Sequence, residues 1–445
     1  MTLRFGTDGV RGRVGDELTP ELVLALGRAA ARVLGDDRFL VARDPRLSGP
    51  LLEAALAAGL AAEGTTVERL GVLPTPAVAA LAAREGVPGA VISASHNTYA
   101  DNGVKFFTAA GRKLDDAVEE RLEAELDRPP GHPRTGDAVG VVVDRADAAE
   151  RYVDGLVASL DGRRLDGLSV VLDCANGAAS VVGPAALRRL GADVHVVAAE
   201  PDGRNINEGC GSTDPGLLAE RVRAVSADAG LAVDGDADRV VAVDASGRVV
   251  DGDHLMAICA LDLAARDLLA ERTVVVTVMT NLGFRRAMAE HGIRVVETPV
   301  GDRYVLEALE DGRWSLGGEQ SGHVIFRDLA TTGDGLLTGI QVLDAVCRSG
   351  RPLADLASVM RSLPQVLRNV PVAARGLDVG AALADQVAAE EARLGEGRVL
   401  LRPSGTEPLV RVMVEARTTE EAEAAAGRLA EAVERLGAGA ASGPR

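Results

Sequence analysis

Aromatic residues are nearly missing from this chain, with six Phe, three Tyr and one Trp in 445 residues. Its 47% hydrophobic residues must therefore pack mainly through Ala, Val and Leu. The length exceeds one ordinary core, so several domains are expected. Cysteine is scarce as well. Cys174, Cys210, Cys259 and Cys347 are far apart in sequence and lack metal-ligand spacing, as expected for free thiols in a reducing compartment. Long apolar runs are missing, and residues 1–10 hold no apolar leader core, so no membrane partner is expected and the cytoplasm is the expected location. Basic residues are outnumbered 48 to 66, a formal net charge of -18. That balance argues against nucleic acid as a partner, because phosphate backbones reward a basic surface. Neither a P-loop nor a G-x-G-x-x-G stretch occurs, so nucleoside triphosphates and dinucleotides are not indicated.

What the chain does have is a β-branched strand, Val91-Ile92, that opens into Ser93, Ser95, His96 and Asn97. Strand ends that open into polar loops are where a rigid scaffold places reacting side chains. Asp101-Asn102-Gly103 then reads as a turn that returns Val104-Lys105-Phe106-Phe107, bringing the Lys105 ammonium toward the serines. Taken alone, the same residues also fit a hairpin with serine caps.

A strand–helix–strand pattern begins at Phe39, recurs from Val170 and recurs again from Val274, each time with short loops and a Pro-containing exit. Such units imply parallel pairing, and three of them imply three similar α/β domains. Ahead of the first unit, Thr19-Pro20-Glu21 starts a helix whose apolar positions Leu22, Leu26, Ala30 and Val33 keep to one face and which ends at Gly35. After Pro364 the order becomes strand, helix, strand, strand, helix, with Thr418 and Glu421 in capping-box spacing. The expected domains are 1–148, 149–250, 251–365 and 366–445, with a disordered tail from about 437.

Asp234-Gly235-Asp236-Ala237-Asp238-Arg239 follows the strand Leu231-Ala232-Val233. Read as extended chain, it puts three carboxylates on one side. Anions about 4 Å apart repel by roughly 4 kcal/mol per pair at surface-like dielectric, which a hard cation such as Mg²⁺ offsets. Arg402-Pro403-Ser404-Gly405-Thr406-Glu407-Pro408 lies between two strands, and with Arg411 it offers the hydroxyls, glycine-shaped backbone and guanidinium groups that suit a phosphate dianion. Gly317-Gly318-Glu319-Gln320-Ser321-Gly322-His323 can approach a polyhydroxylated ligand closely, with Gly301-Asp302-Arg303 as a further charged loop. Each of these stretches also has a plainer reading as a solvated turn.

Together with Phe5–Gly12, Val300–Val305 and Thr331–Gly335, these stretches occur in the order of a known family. Over essentially its whole length the chain resembles the α-D-phosphohexomutase superfamily, and within it the members acting on glucosamine phosphates. The resemblance implies three similar mixed α/β domains plus a C-terminal α+β domain around a central active-site cleft. It implies a phosphoserine at Ser95 and Mg²⁺ held by Asp234, Asp236, Asp238 and that phosphoserine. Arg11, Lys105 and His323 would surround the reacting phosphoryl group. Glu319, Gln320, Ser321, Arg239 and Arg303 would bind the sugar, and Arg402, Ser404, Gly405, Thr406 and Arg411 its phosphate. The implied reaction interconverts glucosamine 6-phosphate and glucosamine 1-phosphate through glucosamine 1,6-bisphosphate, serving amino-sugar nucleotide and cell-wall synthesis. Small sugar phosphates are the implied partners, and a homodimer stays open. A phosphomannomutase or phosphoglucomutase, a non-catalytic phosphosugar-binding regulator and a phosphomonoesterase are the competing readings. Thr98 stands where the family usually has proline.

Overall fold

The computed structural model describes residues 6, 9–126, 128, 134–372, 379–403 and 408–436, together with the backbone of 437–441. The chain divides into two compact units, one of residues 1–279 and 291–359 and the other of 280–290 and 360–445.

Three sheets of the larger unit share one plan. The first places its strands in the order Val10–Arg13, Asp101–Phe107, Gly89–Ile92, Arg38–Arg43, Thr66–Val72, Val142–Asp144. Its last four strands run parallel, while Asp101–Phe107 is antiparallel to both neighbours. In the second sheet the parallel strands Asp193–Val197, Ser169–Asp173 and Ala229–Val233 lead to the antiparallel Val240–Asp244 and Val249–Val250. In the third, the parallel strands Arg294–Thr298, Thr273–Thr277 and Leu316–Gly318 lead to the antiparallel Val324–Phe326. Each sheet thus holds a hairpin in which a parallel strand turns back into an antiparallel one. The three hairpin loops carry Ser95, the Asp234–Asp238 stretch and the Glu319–His323 stretch.

The smaller unit holds an antiparallel sheet ordered Gln365–Pro371, Leu409–Glu415, Arg398–Pro403. Its apolar face packs on the helix Thr419–Ala441 through Ala422, Ala425, Ala426 and Leu429. Thr418 accepts from the Glu421 amide at 3.2 Å, as the capping-box spacing implies. The helix runs to Ala441, past residue 437 where a tail is expected, and residues 442–445 lie outside the described residues.

Local chemistry sets the element ends. Thr19 caps the helix Pro20–Leu34 by accepting from the Leu22 amide, and Gly35 stops it in the left-handed region. That helix buries Val23, Leu26, Gly27, Ala29 and Ala30, and Leu22 and Val33 pack partly buried against the same core. It crosses the helix Gly49–Ala62 closely. A Cβ on Gly27 would lie 2.4 Å from the Leu56 carbonyl oxygen, and one on Gly59 would lie 2.2 Å from that of Leu24.

Two loops differ from the sequence expectation. Asn102-Gly103 is not a turn but part of the strand Asp101–Phe107, and the chain reverses earlier, between Ser93 and Ala100. Gly103 is needed there for room, since its Cβ would meet the Ser93 carbonyl oxygen at 2.7 Å and the Arg11 side chain at 2.8 Å. Likewise Asp234–Arg239 is not extended. It is the loop of a hairpin in which Val233 pairs with Val240, tightened by the Ala237 amide bonding to the Asp234 carbonyl at 3.0 Å and by a φ of 57° at Ala237.

The helix crossing gives a stability test. Gly59→Ala places a methyl group against backbone atoms that have no rotamer to escape into, so it should cost about 1–3 kcal/mol. Urea unfolding monitored by circular dichroism measures this, and a cost below about 0.5 kcal/mol, the usual range of a surface change, would contradict the packing.

Candidate active site

Ser95 is fully buried and sits in the left-handed region at φ 51°. Its hydroxyl donates to Asp234 Oδ2 at 2.5 Å, which joins the first hairpin loop to the second. Gly235 makes that approach feasible, because a Cβ there would lie 2.7 Å from the Ser95 carbonyl oxygen. Asp234, Asp236 and Asp238 are all buried and present carboxylate oxygens within 4.8 Å of one another. Lys105 reaches them from the strand that follows the serine loop, with Nζ 2.6 Å from Asp236 Oδ2 and 3.2 Å from Asp238 Oδ2. Thr75 donates to the same Asp236 oxygen at 2.6 Å.

Asp236 Oδ1 and Asp238 Oδ1 are buried and have no hydrogen-bond partner among the described residues. Leaving buried carboxylate oxygens unsatisfied is costly, and a hard divalent cation removes that cost. The donor set, all carboxylate with a hydroxyl beside it, fits Mg²⁺ better than a softer metal. The electrostatics agree. Burial, then the charges of Asp238 and Asp236, pushes the Asp234 carboxyl well above the usual range. Burial acts upward on Asp238 too, but Lys105 and His323 outweigh it and hold that carboxyl well below the usual range.

Two cationic side chains and a histidine complete this side. The Arg239 amide bonds to Asp234 Oδ1 at 3.2 Å, and its Nη1 lies 3.3 Å from His96 Nδ1. A guanidinium only donates, so Nδ1 accepts and the His96 proton sits on Nε2. Burial, reinforced by Arg239 and Arg11, lowers the His96 pKa and favours a neutral ring next to Ser95. Arg11, on the strand Val10–Arg13, pairs in register with Gly103.

His323 arrives from the third hairpin. Its Nδ1 is 3.8 Å from Asp238 Oδ2, and its Nε2 lies 3.2 Å from Asp302 Oδ2 and 3.0 Å from the Gly333 amide. Burial works against the charged ring, but Asp302 and Asp238 outweigh it and raise the pKa. Glu319 accepts from the Gly301 amide at 3.2 Å, and burial raises its pKa. The Gln320 carbonyl accepts from the Gly252 amide at 3.2 Å, which docks the loop on the helix Gly252–Ala265. Ser321 is exposed.

Among the residues singled out from sequence, the structure brings together Ser95, Asp234, Asp236, Asp238, Lys105, Arg239 and His323. Arg303 does not join them. Its guanidinium is held by Asp116 and by Glu119 at 2.9 Å on the helix Asp116–Leu126. In the smaller unit Arg402 and Arg411 face each other across paired strands. Ser404, Gly405 and Thr406 lie outside the described residues. Sequence reading missed Asp44, Arg46, Thr75 and Asn207, all polar and buried around the serine loop. Only Asp44-x-Arg46, two opposite charges just past a buried strand, carried a signal.

Asp334 supplies a pH test. It caps the helix Gly335–Ser349 through the Leu337 amide at 2.9 Å and accepts from Tyr152 Oη at 3.0 Å, and burial lifts its pKa to about 6. An acid whose folded pKa is raised lowers stability above that pKa and is neutral in effect below its unfolded value. Asp334→Asn keeps a capping oxygen without the charge. Its stability relative to the native chain should therefore rise from pH 4 to 7, by up to about 3 kcal/mol. Urea unfolding across that range measures it, and a constant difference would contradict the assignment.

Comparison with known proteins identifies the family. Residues 2–130, 150–247 and 251–363 match the phosphoglucomutase/phosphomannomutase alpha/beta/alpha domains I, II and III, and 367–432 match the C-terminal domain of the same family. The phosphoglucosamine mutase of Thermobifida fusca is 56% identical over 443 residues, covering 97% of this chain and 98% of that one. A phosphoglucomutase/phosphomannomutase family protein of Burkholderia thailandensis superimposes with a TM-score of 0.79 at 26% identity, over 99% of this chain and 98% of that one. The N-acetylphosphoglucosamine mutase of Aspergillus fumigatus, solved with GlcNAc-6P and magnesium, shares the fold at a TM-score of 0.73 and 19% identity, over 98% of this chain and 96% of that one. The chain belongs to the phosphoglucosamine mutase family, within the phosphoglucomutase/phosphomannomutase group of four-domain α/β enzymes.

Proposed function

We propose that this chain interconverts glucosamine 6-phosphate and glucosamine 1-phosphate by passing a phosphoryl group through Ser95. The observation that carries the reading is the Ser95 hydroxyl 2.5 Å from Asp234, in a buried cluster with Asp236, Asp238 and Lys105. A structural serine needs no such company. Phosphorylated Ser95 gives its phosphoryl group to the sugar O1, and glucosamine 1,6-bisphosphate forms. After the bisphosphate turns end for end, the 6-phosphoryl group returns to Ser95 and glucosamine 1-phosphate leaves.

Phosphoryl transfer depends on positioning and charge neutralisation more than on covalent chemistry. Asp234, Asp236 and Asp238 would hold Mg²⁺, which supplies charge neutralisation at the phosphoryl oxygens when bound. Lys105 and Arg11 add positive charge on the same side. Proton exchange at the sugar hydroxyl falls to Lys105 or His323, both in contact with Asp238. Glu319, Gln320, Ser321 and Arg239 bind the sugar, and a Gln320 amide oxygen or the Glu319 carboxylate accepts from the C2 amine that sets glucosamine apart. Arg402, Ser404, Gly405, Thr406 and Arg411 hold the phosphate at the far end of the substrate. Arg303, occupied by Asp116 and Glu119, serves instead to join the third domain to the first. Domain limits of 1–148, 149–250, 251–365 and 366–445 belong to the same proposal. No described helix is long and apolar enough to cross a membrane.

The test is conversion of glucosamine 6-phosphate followed by ³¹P NMR. The native chain should yield glucosamine 1-phosphate without releasing inorganic phosphate, chelation should stop it and Mg²⁺ restore it. Peptide mass analysis should find the phosphate on Ser95, and Ser95→Ala should retain less than about 1% of turnover. Steady release of inorganic phosphate, or a phosphate on Ser93 alone, would overturn the reading. Arg402→Ala should raise KM and lower kcat together, because loose anchoring misplaces the reacting hydroxyl. A combined loss of about 1.5–3 kcal/mol in kcat/KM is expected from a charge-assisted contact, and constants within about twofold of native would contradict the role.

A further inference from the structure

The segment from Ser95 to Asp101 is gripped by its backbone carbonyls. Arg46, with no exposed surface, donates through Nη2 to the Ser95 carbonyl at 2.9 Å and to the Asn97 carbonyl at 2.8 Å. Its Nη1 donates to the Asp101 carbonyl at 3.2 Å and also to that of Thr98. Behind it, Asp44 Oδ2 accepts from Arg46 Nε at 2.8 Å and from Ser93 Oγ at 2.5 Å, while Ser93 Oγ accepts from the Ser95 amide at 3.0 Å. Asp44 therefore orders the amide side of Ser95, and Arg46 the carbonyl side.

A second grip comes from the loop that follows the strand Asp193–Val197. Asn207 Nδ2 donates to the Ser95 carbonyl at 2.9 Å and to the Asn97 carbonyl at 2.9 Å, the same two that Arg46 Nη2 holds. A carbonyl oxygen has two lone pairs, so each of these takes one donor from the first domain and one from the second. Asn207 is itself at φ 58° and is tied by its amide to the Ala175 carbonyl at 2.9 Å. Nothing intervenes: a Cβ on Gly235 would lie 2.9 Å from Asn207 Nδ2. Serine at positive φ is an uncommon backbone state that persists only where its surroundings over-determine it. Four donors on two carbonyls do so here.

We propose that Arg46 and Asn207 are positioning residues for the Ser95 hydroxyl, and that Asn207 makes that position depend on docking of the second domain. The inference rests on Ser95 as the phosphoryl carrier. It also accounts for how the loop stays fixed with threonine at position 98, since Arg46 holds the Thr98 carbonyl directly. Arg46 and Asn207 touch neither substrate nor phosphoryl group in this account, so their effect falls on transfer and not on binding.

The test uses the full-length phosphorylated enzyme with Mg²⁺. Asn207→Gly keeps the left-handed backbone and removes both donors, and Asn207→Asp keeps the shape but turns donor into acceptor. Both should lower kcat and the single-turnover rate of transfer from phospho-Ser95 by about tenfold or more, with KM for glucosamine 6-phosphate within about threefold. Arg46→Lys keeps the charge opposite Asp44 but cannot span four carbonyls, and should show the same split. A merely structural role would lower the unfolding temperature and leave the transfer rate of the folded protein intact. Should Asn207→Gly fail to fold, Asn207→Asp decides the matter alone. Transfer rates within about twofold of native in the Asn207 variants, or a rise in KM alone, would overturn the proposal. Ser95→Ala is the control: activity in it defeats the Ser95 assignment on which the inference rests, whereas an inactive Ser95→Ala beside native transfer rates in the Asn207 variants defeats the positioning inference alone.

Discussion

The larger unit is organised around a concentration of negative charge that its interior cannot tolerate alone. Asp234, Asp236 and Asp238 are buried within 4.8 Å of one another, and Lys105 is the ammonium that touches two of them. Desolvating such groups costs several kcal/mol per ion, and attraction offsets it only with good geometry and satisfied lone pairs. The protein satisfies some of those lone pairs with Ser95, Thr75 and the Arg239 amide. Among the described residues it leaves Asp236 Oδ1 and Asp238 Oδ1 without hydrogen bonds, which is how a cation site differs from a structural ion pair. Burial and the neighbouring carboxylates push Asp234 up, while Lys105 and His323 hold Asp238 down.

The sheets explain how three domains deliver groups to one place. In each, parallel strands build the buried centre and an antiparallel hairpin leaving them carries a polar loop. A hairpin loop is short and anchored at both ends, so its side chains are held more firmly than those on a long connection. Glycines at 235 and 322 then let backbones approach. A Cβ at Gly322 would lie 2.0 Å from the Val240 carbonyl oxygen, so the third hairpin can rest on the second only with glycine there. The smaller unit repeats the device, with Arg402 and Arg411 facing each other on a hairpin of its own.

Much of this was legible in the sequence because the signals were local. β-branched strands, the Thr19 and Thr418 caps and the strand–helix–strand order marked the elements. Charge density marked the Asp234–Asp238 loop. The register of that loop was not legible: alternation suggested extended chain, whereas the carboxylates converge because the loop turns tightly at Ala237. Asn102-Gly103 misled in the opposite way, since its glycine answers a steric need set by Arg11 and Ser93, which only the folded sheet reveals. Arg303 shows a third limit. A charged residue beside a motif reads as a ligand contact until an acidic helix, here Asp116–Leu126, is seen to claim it. Arg46 and Asn207 act on backbone carbonyls far away in sequence, an interaction that leaves no compositional trace.

The measurement that bears most directly on this account is electron–nuclear double resonance on the Mn²⁺-loaded enzyme. If the three carboxylates hold a divalent cation against the phosphate on Ser95, the phosphorylated protein will bind one Mn²⁺ with a resolved ³¹P coupling. The dephosphorylated protein will bind the ion without that coupling, and Asp236→Asn will weaken binding in both. A tightly bound Mn²⁺ showing no ³¹P coupling in protein proven by mass to carry phospho-Ser95 would contradict the account.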